Sequence, residues 1–284
     1  MESSQPWILI NGQWKRDGEI ISSKNRSFLY GDGLFETIRV VNAHTPFLNL
    51  HVERLRKSLP FLKLEFIEDF SEERLSKHIE QFLTKNRWYK GSRIRLTVYR
   101  MADGKYTPSK QQTGYILTGE PLETEPIFPF KGTGRIMGEY TELSKNNNSL
   151  SSIKSTSSII YVLAGTYARN SNLDDVFLKN QNDEIVETVN SNVILVKKRQ
   201  LISPGPDQFA LDGTMRKTVL EIGREFGFEI ITRGLSEEDI LDADEIMLTN
   251  AIQGINWVKG YKDRRYYSNV GFEFSKRLNE MVAD

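Results

Sequence analysis

Val193-Ile194-Leu195-Val196 is an unbroken apolar run between Asn192 and Lys197. With no polar residue at alternate positions, it predicts a strand covered on both faces, and such a strand requires a layered architecture around it. Its neighbours can supply the layers. A helix is predicted over 156–169, with Ile160, Leu163, Ala164, Tyr167 and Ala168 on its buried face and the hydroxyl cluster before it as cap. A second helix is predicted over 213–226 with Met215, Val219, Ile222 and Phe226 inward, and a third from Asn269. Strands are predicted at Val176–Leu178, Glu184–Thr188, Phe228–Thr232, Glu245–Thr249 and Ile255–Lys259.

The first half reads differently. Asn11-Gly12 between Trp7–Ile10 and Gln13-Trp14 is a hairpin signal. Phe35–Val41 alternates as a strand and is expected to turn at Asn42-Ala43-His44 into another. Helices are expected over 50–59 and 72–86, followed by paired strands at Arg93–Tyr99 and Tyr115–Thr118. Prolines and lost periodicity after residue 120 suggest a break. The expected organisation is therefore α+β: a smaller domain over 1–120, a linker over 121–130 and a larger domain over 131–284 that carries Lys154. The 284 residues suffice for two such domains.

Composition narrows the chemistry. The 38 basic and 38 acidic residues balance, so charge offers no attraction for nucleic acid or an anionic membrane. With no cysteine and three scattered histidines, thiolate chemistry is excluded and a metal site is not expected. No apolar run reaches membrane-spanning length, and the N-terminus has no signal-peptide pattern, which together give the expectation of a cytoplasmic protein.

Against this background Lys154 stands out. It precedes the predicted helix at 156–169, whose positive end favours a lowered proton affinity, as a lysine that forms Schiff bases and carries protons requires. Glu187, at a strand end, suits a protonated heteroaromatic nitrogen, although an exposed charge is the plainer reading of it alone. Gly213-Thr214-Met215-Arg216 opens a helix whose first amides can hold an anion. Its plainer reading is a helix capped by Asp212. Arg54 is a candidate phosphate clamp, and Thr37 and Arg39 project from one face of their strand.

In order and spacing these segments resemble the class IV, pyridoxal-phosphate-dependent aminotransferase family. The matching pieces are Tyr-Gly-Asp-Gly-Leu-Phe-Glu-Thr-Ile-Arg (30–39), His-Val-Glu-Arg-Leu (51–55), Lys154, Glu187 with Ser191-Asn192, Gly213–Arg216 and Ala243-Asp244-Glu245. The resemblance implies the fold of the fold type IV enzymes, two α/β domains with pyridoxal 5'-phosphate between them, in a homodimer. It implies that Lys154 carries the cofactor and shuttles protons, that Glu187 pairs with the pyridine nitrogen, and that Arg54 with the amides of Thr214 and Met215 holds the phosphate. The loop around Tyr106 would reach the partner subunit's site. Gly-Thr-Met-Arg at the phosphate helix and Thr249-Asn250-Ala251, which lacks a hydroxyl at Ala251, are similar to the 4-amino-4-deoxychorismate lyase branch. That branch converts its substrate to 4-aminobenzoate and pyruvate in folate synthesis. Thr37 is then a candidate proton donor beside Lys154, and Arg39, Tyr106, Asn250 and Ala251 are candidate substrate contacts. A branched-chain or D-amino-acid aminotransferase is the alternative activity, and a cofactor-free scaffold is the alternative from another class.

Overall fold

In the computed structural model, which describes residues 5–18, 21–122 and 128–283, the chain divides into two units. The first is Met1–Pro126 with Lys154–Ser157, and the second is Ile127–Ile153 with Ser158–Asp284. Part of the expected linker, residues 123–127, lies outside the described residues.

The first unit is an antiparallel sheet with two longer helices. Its elements are β1 (Trp7–Ile10), β2 (Gln13–Arg16), α1 (Arg26–Tyr30), β3 (Gly33–Val41), α2 (Leu48–Ser58), α3 (Glu72–Asn86), β4 (Gly91–Arg100) and β5 (Thr113–Pro121), with strands in the order β2-β1-β5-β4-β3. Asn11 and Gly12 both take positive φ, so the hairpin turn twists with its strands. Asn11 also fastens the turn to the sheet by accepting the Tyr115 amide at 2.7 Å. Helix α3 begins where the Ser71 hydroxyl accepts the Arg74 amide, and it buries Leu75, Ile79, Phe82 and Leu83 at helical spacing. The expected strand after His44 is replaced by a single bridge: Val41 and His44 exchange backbone bonds across Asn42 and Ala43, and α2 begins at Leu48.

Residues 154–157, expected with the second half, pair with β3. The Phe35 amide donates to the Lys154 carbonyl and the Thr156 amide to that of Gly33, both at 2.9 Å. Because β3 is the end strand of its sheet, its outer edge was available for this pairing.

The second unit comprises β6 (Arg135–Glu139), α4 (Ile159–Asn170), β7 (Asp175–Lys179), β8 (Ile185–Thr188), β9 (Asn192–Lys197), β10 (Gln200–Ile202), α5 (Thr214–Glu225), β11 (Glu229–Ile231), α6 (Glu237–Asp242), β12 (Glu245–Asn250), β13 (Gly254–Tyr261), β14 (Arg264–Arg265) and α7 (Asn269–Ala283). Among the described residues its strands run β11-β10-β9-β12-β13-β6-β7-β8, and the extra pairing of Glu187 with Asn192 joins β8 back to β9. The sheet therefore closes on itself. Val193 and Leu195 pack with Phe177, Ile246, Leu248 and Val258 on one side, while Ile194 and Val196 are equally buried on the other. That is the covered strand expected from its composition. Glu245 explains the Ala-Asp-Glu segment physically: its carboxylate accepts the amides of Asn269, Val270 and Gly271 and caps α7.

Two helical faces differ from expectation. In α4, Ala164 and Ala168 are buried but Leu163 is 40% exposed, and Ser158 sits at the N-cap without a side-chain bond to the helix. The Thr156 hydroxyl meets the Gly33 carbonyl and Ser27 instead. Phe226 lies just beyond the end of α5 and is 42% exposed. Among the described residues, no helix is long and apolar enough to cross a membrane, and no acidic or histidine cluster is arranged to hold a metal.

Candidate active site

The first unit brings Lys154, Phe35, Thr37 and Arg39 to the β3 edge. Strand β3 alternates in register with β4: Phe35 opposes Thr97, Thr37 opposes Arg95, and Arg39 opposes Arg93. Directly opposed residues share a face, so this face carries two hydroxyls, of Thr37 and Thr97, and three guanidinium groups. The Lys154 ammonium lies 4.5 Å, and the Arg95 guanidinium 3.7 Å, from the centre of the Phe35 ring. Burial lowers the proton affinity of both Arg39 and Arg95, with Arg93 adding to the effect at Arg95. Both remain cations, because arginine starts so far above neutrality.

Glu36, Ile38 and Val40 point to the opposite face, toward α2. Arg54 there grips Glu36 in a fork, with Nε to Oε1 at 2.8 Å and Nη2 to Oε2 at 2.5 Å, while His51 Nδ1 lies 2.7 Å from Oε2. All three are buried. Burial pushes the Glu36 carboxyl up, but Arg54 and His51 outweigh it and hold the group at about 2. Burial lowers the His51 proton affinity, which the Glu36 contact only partly offsets. Two of the Arg54 donor positions are thus committed to orienting the guanidinium.

The second unit carries its own candidate residues at the closure of its sheet. Glu187 is 3% exposed and accepts three bonds: Lys145 Nζ at 2.5 Å and Tyr161 hydroxyl at 2.7 Å on Oε1, and the Leu211 amide at 2.7 Å on Oε2. Burial, then the Glu187 charge, pushes the Tyr161 hydroxyl far up, so it stays a neutral donor. The plainer reading of Glu187 as an exposed charge is therefore wrong. Helix α5 starts at Thr214, and Gly213, not Asp212, is its N-cap, with no side chain closing the first turn. Asp212 pairs instead with Lys217 at 2.7 Å. Gly213 is required because a Cβ there would lie 1.8 Å from Asn192 Oδ1, so the space it leaves is filled by Asn192 rather than held open for a ligand. Asn192 Nδ2 in turn donates to the Leu211 carbonyl at 2.8 Å and fixes the approach to α5.

Other residues are differently committed. Asn250 Oδ1 accepts the amides of Ile252 and Gln253, and its Nδ2 donates to the Ser191 hydroxyl, so it shapes the turn after β12. Ala251 lies in that turn and is half-buried. Tyr106 is 88% exposed and stacks on Tyr30 with ring centres 5.5 Å apart. Its loop is tied down where Arg26 donates to the carbonyls of Gly104 and Lys105.

By residue type, the first unit holds a primary amine and an arginine anchored by a fork, and the second holds a buried carboxylate fixed by three donors and a helix N-terminus without a side-chain cap, the kinds of group a phosphorylated pyridine aldehyde requires. A family model described as Amino-transferase class IV matches residues 33–261. The chain belongs to this family. Class IV enzymes depend on pyridoxal 5'-phosphate. This class IV chain is 25% identical over 272 residues to an aminodeoxychorismate lyase of Bacillus subtilis, covering 93% of this chain and 89% of that one. It is 27% identical over 284 residues to a putative branched-chain-amino-acid aminotransferase of Methanocaldococcus jannaschii, covering 98% and 95%. A branched-chain aminotransferase structure from Thermoproteus uzoniensis superposes with a TM-score of 0.88 at 20% identity, covering 98% and 94%, which supports the fold type IV architecture.

Glu36, Arg95, Lys145 and Tyr161 are absent from the sequence-derived candidates. Arg95 was detectable, since Arg93, Arg95 and Thr97 alternate with Ile94, Leu96 and Val98. Glu36 was too, as a charge in phase with Leu34, Ile38 and Val40. Lys145 carries no local signal.

Proposed function

We propose that this class IV enzyme is a lyase that converts 4-amino-4-deoxychorismate to 4-aminobenzoate and pyruvate. The observation that carries the reading is the arginine-rich face shared by β3 and β4, where Arg39 and Arg95 flank Thr37 on the edge that also bears Lys154. A substrate with two carboxylates suits two fixed guanidinium groups, each able to form charge-assisted pairs.

In this reading Lys154 anchors the cofactor, Glu187 faces its ring nitrogen, and Arg54 with the first amides of α5 takes its phosphate. Once bound, the cofactor supplies an electron sink. The Lys154 amine takes the proton from the ring carbon that bears the substrate's amino group. The C–O bond to the enolpyruvyl group then breaks as the ring becomes aromatic, and Lys154 or the Thr37 hydroxyl returns a proton to the departing methylene carbon. Arg39 and Arg95 hold the carboxylates, and Asn250 shapes the wall from its turn. The same reading includes a cytoplasmic homodimer in which Tyr106 reaches the partner's site.

The deciding experiment supplies enzymatically generated aminodeoxychorismate to cofactor-loaded protein. Equal amounts of 4-aminobenzoate and pyruvate, lost in Lys154→Ala, support the lyase. Transfer of the amino group from a branched-chain or D-amino acid to 2-oxoglutarate, without 4-aminobenzoate, refutes it in favour of an aminotransferase.

A further inference from the structure

Lys145 is a cation in a place where the cofactor reading already puts one. Its side chain is 3% exposed, and its ammonium is shared between Glu187 Oε1 at 2.5 Å and the Ser151 carbonyl at 3.0 Å. Its backbone is fixed as well, since its amide donates to the Lys179 carbonyl and it bridges to Asn180 at the end of β7. This is a held lysine, not a surface charge that has folded inward.

A carboxylate offers about four acceptor positions. Lys145 and Tyr161 occupy those of Oε1, and the Leu211 amide takes one on Oε2. The groups facing Glu187 in this unit are thus one cation from the segment before α4, one neutral phenol from α4 and one backbone amide from the approach to α5. On the neighbouring strand, Asp175 is committed to Arg135 and Thr188.

We propose that Lys145 is a positioning residue that attenuates the electron sink: it leaves Oε2 to the cofactor's ring nitrogen and shares the negative charge that would otherwise hold that nitrogen's proton. The inference rests on the pairing of Glu187 with the ring nitrogen. Two cations near one carboxylate repel each other, so the ring nitrogen releases its proton at lower pH with Lys145 present than without it. A purely structural ion pair predicts no such effect on the cofactor.

The test is the ¹⁵N NMR shift of ring-labelled pyridoxal phosphate bound to the full-length protein, followed from pH 6 to 9. Lys145→Met is expected to raise the pH at which the ring nitrogen deprotonates by about one unit or more, a tenfold gain in proton affinity. Lys145→Gln, which keeps hydrogen bonding to Glu187 and Ser151 without the charge, is expected to move it the same way, and Lys145→Arg to leave it near the wild-type value. Glu187→Gln is expected to lower it. If Glu187→Gln lowers it while the Met and Gln variants at 145 titrate like wild type, Lys145 is structural only and the inference is overturned. If no variant moves it, the pairing of Glu187 with the ring nitrogen is wrong and the inference falls with it. A wild-type nitrogen protonated across the whole range also overturns it.

Discussion

Replacing Glu36 with glutamine isolates the energetics of the buried triad on α2 and β3. The carboxyl lies at about 2 in the folded protein against an ordinary 4.5, although burial alone would raise it. A shift of this size corresponds to roughly 3 kcal/mol of folding stability at neutral pH. The sign follows from the direction. A depressed carboxyl stabilises the fold fully above its unfolded value and loses that contribution as pH falls through 4.5 toward 2. An independent estimate agrees, since removing one partner of a buried ion pair costs roughly 3 to 5 kcal/mol. Glu36→Gln is therefore expected to lower the unfolding free energy by roughly 3 kcal/mol at pH 7 and by less than half of that at pH 3, where wild type has itself lost much of the contribution. Urea unfolding followed by tryptophan fluorescence reports this well, because Trp7, Trp14 and Trp88 all lie in the first unit. A gap between the two proteins that does not change with pH refutes the assignment of the stability to the Glu36 charge. A gap under about 0.5 kcal/mol at pH 7 refutes the buried-pair reasoning altogether.

Three further outcomes are expected. Gly213→Ala forces a Cβ against Asn192, costing about 1 to 3 kcal/mol in thermal or urea unfolding and weakening pyridoxal phosphate binding in a fluorescence titration. Adding Asn192→Ala restores the room, so a double variant as impaired as the single one contradicts the steric account. Arg95→Leu should raise KM for a dicarboxylate substrate by about ten- to a hundredfold with a smaller change in kcat, and an unchanged KM removes Arg95 from substrate binding. Lys154→Ala should abolish the visible absorbance of the loaded protein along with turnover; a retained band near that of wild type would show that another amine carries the cofactor.

The parts of the fold legible in the sequence are those written by local rules. Asn11-Gly12 requires positive φ at both residues and formed its hairpin, and the spacing of Leu75, Ile79 and Phe82 specified α3 over its full length. The run at 193–196 announced a strand covered on both sides. Contacts between distant segments were not legible. Nothing near Lys145 signals a carboxylate 42 residues away. The edge of β3 recruits residues 154–157 by backbone pairing, which leaves no mark on side-chain pattern. The turn at Asn42 and Ala43 formed, but the strand expected after His44 is cut short because Pro46 has no amide to donate and Phe47 takes positive φ just before α2 opens at Leu48. At the site, residue types suggested chemistry but not commitment: Asn250 is a plausible ligand by type, yet its carbonyl is consumed by its own turn.

The short span from Leu211 to Thr214 acts as a gauge. The Leu211 amide is bonded to Glu187, its carbonyl to Asn192, and helix α5 opens at Thr214, on strands that Glu187 and Asn192 lock together in register. The separation between the carboxylate and the helix terminus is therefore set by covalent geometry and one strand pairing, independent of where the lysine sits. Under the roles proposed for Glu187 and the α5 terminus, a pyridine ring whose nitrogen and phosphate stand at another spacing meets one end or the other but not both. With those roles, selection of the cofactor by length precedes any reaction at its aldehyde, and phosphate-bearing analogues extended by one methylene should be rejected even when their carbonyl is fully reactive.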